Sequence, residues 1–198
     1  MPEIYLMRKE KIIQYLDCNL ITKNELKACM HHRDVAFAAV KKTVGFGTLG
    51  GNLEYAPKEL QNDKELVLAA VTTNGLALAH ASNVLKSDRE VVLAAVKNYS
   101  QALHFASPEL KNDREVVLAA VSKNGKALEY ASDHMKNDSE VVLAAVQENN
   151  YALLYTSKEL RAKIGVAPAI EFLEKYITYQ KYEGMLPKKD GNKQTVKI

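Results

Sequence analysis

"NDREVVLAAV", residues 112–121, decides how this chain is read, because it returns almost letter for letter. "NDKELVLAAV" begins at Asn62, "SDREVVLAAV" at Ser87 and "NDSEVVLAAV" at Asn137, a constant step of 25 residues, and a degenerate copy, "HHRDVAFAAV", begins at His31. The second half of the unit recurs too. "NLEYA", "LALAHA", "QALHFA", "KALEYA" and "YALLYT" place Tyr55, His80, Phe105, Tyr130 and Tyr155 at the same step. Self-similarity at a fixed short period means that each unit leaves an apolar face that only a neighbouring unit can cover.

The unit reads as helical. Asn62, Ser87, Asn112 and Asn137 are each followed three residues later by Glu65, Glu90, Glu115 and Glu140, the spacing of a capping box, so a first helix is expected to open there. Val92, Leu93 and Val96 are expected on its apolar face, with alanines allowing close approach of a neighbour. Asn74-Gly75 and Asn124-Gly125 are read as its end, in the left-handed geometry those residues tolerate. A short second helix such as "KALEYAS" follows, with Ala127, Leu128 and Ala131 inward and Tyr130 between repeats. A last turn carries Leu60, Leu85, Leu110, Met135 and Leu160, and Ser107-Pro108 supplies a cap and a first-turn proline. Paired valines favour strands, but Ala-Ala in every copy and caps at both ends outweigh them.

The expected fold is therefore all-α: a right-angled or curved α-solenoid of about five 25-residue helical repeats with helical caps. Residues 1–30 form an N-terminal helical cap, with one amphipathic helix over residues 3–17 and a short one opening at Thr22 and Glu25. Residues 31–161 hold the repeats and residues 162–183 a C-terminal capping helix with Pro168 near its first turn. Residues 184–198 read as a disordered tail.

Composition bounds the function. At 198 residues, with 47% apolar and 26% charged residues, the chain is an ordinary globular one. The net charge of +3 matches what Lys188, Lys189, Lys193 and Lys197 against Asp190 supply in the tail alone, so the remainder is near neutral. That argues against nucleic-acid binding except weakly through the basic tail. Cys18 and Cys29 are too few for a disulfide scaffold. No run is long and apolar enough to span a membrane, and the first residues do not resemble a cleaved signal peptide. A cytoplasmic location, or export into a host cell without a cleaved N-terminal signal, is expected.

"TVGFGTLGG", residues 43–51, contains a literal G-x-G-x-x-G in Gly45, Gly47 and Gly50. A dinucleotide fingerprint needs a preceding strand and a β-α-β unit, and a phosphate loop needs a following Lys-Ser or Lys-Thr. This stretch has neither. It is a six-residue expansion of the Asn-Gly turn in the first repeat, and Gly45, Phe46, Gly47, Thr48 and Gly50 remain candidates only as a ligand-contacting loop. Cys29, His31 and His32 cluster in sequence but lack the second ligand pair that zinc prefers. As a thiol site for a small hydrolase or transferase they lack a local orienting group. The carboxylates repeat in two columns, Asp63 to Asp138 and Glu65 to Glu140, with cations interleaved, which describes a salt-laced surface. No catalytic residue, metal or cofactor is assigned.

The informative positions are those that change between copies. Leu76, Gln101, Lys126 and Tyr151 form one column, Ala79, His104, Glu129 and Leu154 a second, and Thr73, Asn98, Lys123 and Glu148 a third. Gln101, His104, Lys123, Lys126, Glu129, Tyr151 and Leu154 are the candidate interaction face.

The unit "LKNDREVVLAAVSKNGKALEYAS" closely resembles the repeats catalogued as domain of unknown function 4116. The match is carried by residues 112–121, Asn124-Gly125 and "ALEYAS" at 127–132, and extends over roughly residues 31–161. The resemblance implies tandem copies of the kind found in Legionella-type bacteria, protists, algae and large viruses. It also implies a host-interaction or scaffolding module within effector-like proteins, and it supplies no catalytic residue. The expectation is a non-catalytic protein-interaction module with a protein partner.

Overall fold

The computed structural model describes residues 9–17, 21–42, 51–164 and 178. Among them there are helices and turns and no strand. Two helices, α1 (Lys9–Asp17) and α2 (Lys23–Cys29), precede the repeats. Thr22 opens α2 with the expected reciprocal capping box to Glu25. Ile12 and Leu16 of α1 are buried, and α1 packs on α3 (Arg33–Val40), the first helix of the degenerate copy. The residues expected to begin α1 before Lys9 lie outside the described ones, as does most of the segment expected to form the C-terminal helix.

Each later repeat has the same three parts. The long helices are α5 (Lys64–Thr73), α7 (Arg89–Asn98), α8 (Arg114–Val121) and α10 (Ser139–Glu148). They pack in chain order, α3 on α5, α5 on α7, α7 on α8 and α8 on α10. The second helix of each unit is a 3-10 turn: Gly51–Tyr55, Gly75–His80, Ser100–Phe105, Gly125–Tyr130 and Asn150–Tyr155. These turns form a second layer with its own neighbour contacts. A third short piece links each unit to the next: α4 (Lys58–Gln61), α6 (Asn83–Lys86), a 3-10 turn over Leu110–Asn112, α9 (Asp133–Lys136) and α11 (Lys158–Ile164).

The core lies between the two layers. In α7 the buried residues are Val91, Val92, Ala95 and Val96, and every long repeat helix buries the same four columns. From the 3-10 layer come Ala77 and Leu78, Ala102 and Leu103, Ala127 and Leu128. Leu93, expected on the core face, instead lies only partly buried. At 100° per residue it sits with Glu90, Ala94 and Lys97 on the side of the helix turned away from the 3-10 layer.

The caps also differ from expectation by one residue. Asp63, Asp88, Asp113 and Asp138 are the N-cap residues, accepting N–H bonds from Leu66, Val91, Val116 and Val141. The preceding Asn column has another task. Asn62, Asn112 and Asn137 each accept a 2.6 Å hydrogen bond from the hydroxyl of Ser82, Ser132 and Ser157, 20 residues onward near the end of the same unit. The N–H groups of Ser82, Ser107, Ser132 and Ser157 meanwhile donate to the carbonyls of Gln61, Lys86, Lys111 and Lys136. One backbone bond per step thus sets the register between units.

An ion-pair ladder runs along the helix N-termini. Arg33 reaches Asp63 and Glu65, Lys64 reaches Asp88 and Glu90, Arg89 reaches Asp113 and Glu115, and Arg114 reaches Asp138 and Glu140. Each cation serves the next unit. Ser139 takes the cation position in the last copy, where residues 163 and 165, one step onward, are Lys and Gly rather than acids.

Candidate interaction face

The variable positions lie on the outer side of the 3-10 layer. A six-residue 3-10 turn that buries its third and fourth residues, Ala102 and Leu103, directs the second and fifth, Gln101 and His104, away from the core. Lys126 with Glu129 and Tyr151 with Leu154 repeat that placement one and two units later, and all four are exposed. His104 is also exposed, and Gln101 is partly so.

Neighbouring units touch through these columns. The His104 ring meets the edges of Phe105 and Tyr130, each with centroids 5.0 Å away. The Lys126 ammonium stands 5.8 Å from the Tyr151 ring centre. Tyr99 donates its hydroxyl to Gln101 and is itself exposed. The character of the face changes along the stack. Leu76 and Ala79 are partly buried, Gln101 and His104 are polar, Lys126 and Glu129 carry opposite charges, and Tyr151 and Leu154 present apolar surface at 67% and 64% exposure.

Lys123 is placed differently. Its ammonium donates to the carbonyls of Lys97 and Asn98 at 2.6 and 2.8 Å, closing the carbonyl end of α7. Asn98 does the same for the previous unit, donating to the Thr72 carbonyl at 2.8 Å while its Oδ1 accepts the Gly75 N–H at 2.7 Å. Two members of the third variable column, Asn98 and Lys123, therefore tie their long helices to the one before, whereas Thr73 donates within its own helix to the Ala69 carbonyl. Reading from sequence missed this role, whose signal was the step of about 25 residues between a polar side chain and a helix C-terminus.

The other candidate residues come together less. Cys29 is buried, and desolvation, followed by the nearby Glu25 charge, raises its thiol pKa. Such a thiol is not poised as a thiolate nucleophile. The His31 and His32 rings lie tilted by 45° with centroids 3.9 Å apart, and His31 Nδ1 lies 2.8 Å from the Ala28 carbonyl oxygen. No group of three or more His, Cys, Asp or Glu able to hold a metal occurs among the described residues. Gly45, Phe46, Gly47, Thr48 and Gly50 lie outside the described residues. Among the described residues no helix is long and apolar enough to cross a membrane.

Comparison with protein families returns one described as "Domain of unknown function (DUF4116)", matching residues 32–86, 63–111, 88–136 and 113–161. The chain belongs to this family. Each DUF4116 match spans two of the 25-residue steps and overlaps the next, as the repeats do. The first match is six residues longer than the others, and the additional length is that of the glycine-rich expansion. Comparison with curated proteins gives no match, and neither does comparison with solved structures.

Proposed function

We propose that this chain is a non-catalytic protein-interaction or scaffolding module, built as a curved α-solenoid of about five repeats. In this reading, residues 1–30 and 162–183 are its caps and residues 184–198 a basic tail. Its partner is a protein, engaged by Gln101, His104, Lys126, Glu129, Tyr151 and Leu154, with Lys123 at the border of that surface. The module acts in the cytoplasm, or in a host cell as an effector-like protein.

One observation carries the reading. The buried columns repeat nearly unchanged, whereas the outward columns of the 3-10 layer change from repeat to repeat and end in exposed Tyr151 and Leu154. A stacked array with a constant core and a varied face is how repeat proteins present extended binding surfaces. Photo-crosslinking residues placed at His104 and Glu129 should capture one protein in cells, while the same residue at Asn83 or Lys158 should not. Equal capture from all four positions would contradict the assignment of the face.

A further inference from the structure

The outer face of the 3-10 layer has a chemistry that narrows its partner. Among the described residues five large apolar side chains stand exposed, and three of them, Tyr99, Tyr151 and Leu154, share this face. His104 stands T-shaped to Tyr130 of the next unit, with ring centroids 5.0 Å apart. Burial, followed by the nearby Glu129, Tyr155 and Tyr99, pushes the Tyr130 hydroxyl up. It therefore stays protonated at neutral pH, and tyrosines from three successive units lie within electrostatic reach of one another. Gln101 accepts the Tyr99 hydroxyl on Oε1, which leaves its amide N–H groups as donors. The charges cancel: Lys126, its ammonium 5.8 Å from the Tyr151 ring centre, is matched by Glu129. The face is a neutral row of aromatic rings interleaved with hydrogen-bond donors.

These features discriminate between the ways in which a protein segment is held. Strand addition needs a sheet edge, and the described residues contain no strand. An amphipathic helix needs a continuous apolar groove, which Gln101, Lys126 and Glu129 interrupt. An acidic or phosphorylated motif needs clustered arginines, and the two outward columns of the 3-10 turns hold none. A polyproline II segment needs aromatic rings for its proline faces and side-chain donors for its unpaired carbonyls, and this face has both. The period agrees as well. One turn of polyproline II is three residues and about 9 Å, and helices packed side by side advance about 8–10 Å per unit. Successive units would therefore meet the same edge of the segment.

We propose that the variable face holds an uncharged, proline-rich segment of its protein partner in the polyproline II conformation, one turn per repeat, against Tyr99, His104, Tyr130 and Tyr151. The inference rests on the assignment of that face and specifies what the face takes.

The test uses the full chain and two labelled peptides of about twelve residues, long enough for four units at about 3.1 Å per residue. One repeats Leu-Pro-Pro, and the other has glycine at each proline. By fluorescence anisotropy the proline peptide should bind at least about tenfold more tightly, because its conformation is set before binding. Tyr99→Ala with Tyr151→Ala, both at exposed positions, should weaken it by at least about tenfold while the melting temperature stays that of wild type. Tyr151→Ala alone, at the more exposed of the two, should weaken it in the same direction. Equal binding of the two peptides, no binding of either, or unchanged affinity in the folded double variant overturns the proposal. Photo-crosslinking at His104 and Glu129 gives the two possible failures different signatures. Capture of a protein there, without affinity for the proline peptide, overturns the proline-rich partner and leaves the face standing. Capture that is equal at Asn83 and Lys158 overturns the face and this proposal together.

Discussion

Gly125 lies so close to the carbonyl oxygen of Ala145 in the next repeat that a Cβ on it would stand 2.0 Å away. Gly75 has the same relation to Ala95, at 2.4 Å. The glycines are there for this close approach rather than for a left-handed backbone. Asn74 and Asn124 before them are extended, at φ of -144° and -156°. Ser100 takes the corresponding place where the next helix, α8, ends at Val121, two residues short of the length of α7 and α10. Gly125→Ala is expected to lower stability by about 1–3 kcal/mol, since the obstacle is backbone that cannot turn aside. Urea unfolding of both proteins measures it, and Ser100→Gly should cost much less.

Asn98 is the second inter-repeat tie. Asn98→Ala removes the acceptor for the Gly75 N–H and the donor to the Thr72 carbonyl. Gly75 is buried, so its N–H loses a partner that water does not readily replace. The expected cost is about 1–3 kcal/mol. Amide exchange at Gly75 should accelerate by more than at Gly125.

Asp113 tests the cap register. Asp113→Ala should destabilise by about 0.5–2 kcal/mol, whereas Asp113→Asn should keep most of the cap. Asn112→Ala should instead break the bond from Ser132 and leave the cap of α8 intact. Burial pushes the Asp113 carboxyl up, but the Val116 N–H and the Arg89 guanidinium outweigh it and hold it below its usual value. A lowered carboxyl pKa stabilises the fold above the unfolded value of about 3.9, and that contribution is lost as pH falls. Acid unfolding should therefore begin at higher pH in wild type than in Asp113→Asn, when each is referred to its own stability at neutral pH.

His80 predicts a second pH effect. Desolvation lowers its pKa; Glu54 opposes this, and Lys86 and Lys58 add to it. The unfolded chain then takes up the proton first. Stability from this site is complete above about pH 6.5 and declines as pH falls below it. His80→Phe, copying Phe105 one repeat later, should flatten the dependence of the melting temperature on pH between about 5 and 7.

Much of this architecture was legible in the chain because a repeat exposes its own constraints. The four recurrences of "LAAV" located the long helices, and Asn74-Gly75 and Asn124-Gly125 located their ends. Two neighbouring residues that both suit a cap defeated the finer reading. Asn112 precedes Glu115 at capping-box spacing, but Asp113 is the cap, because Asn112 is drawn to Ser132, 20 residues away. Leu93 was misread for a similar reason. Four smaller side chains, Val91, Val92, Ala95 and Val96, fill the space between the layers, and leucine is displaced to the far side. Of the candidate face, the exposure of Lys126, Glu129, Tyr151 and Leu154 followed from their variability. Lys123 varied as freely, yet its partners are backbone carbonyls, which no sequence column displays.

The central claim, that the varied outer face of the 3-10 layer binds a protein, is tested most directly by calorimetric titration of the partner captured at His104 or Glu129. The comparison is between wild type and a chain carrying Lys126→Ala, Glu129→Ala, Tyr151→Ala and Leu154→Ala. All four side chains are exposed, so the variant should keep the wild-type melting temperature while its affinity falls by at least about a hundredfold. Unchanged affinity in a fully folded variant would contradict the account.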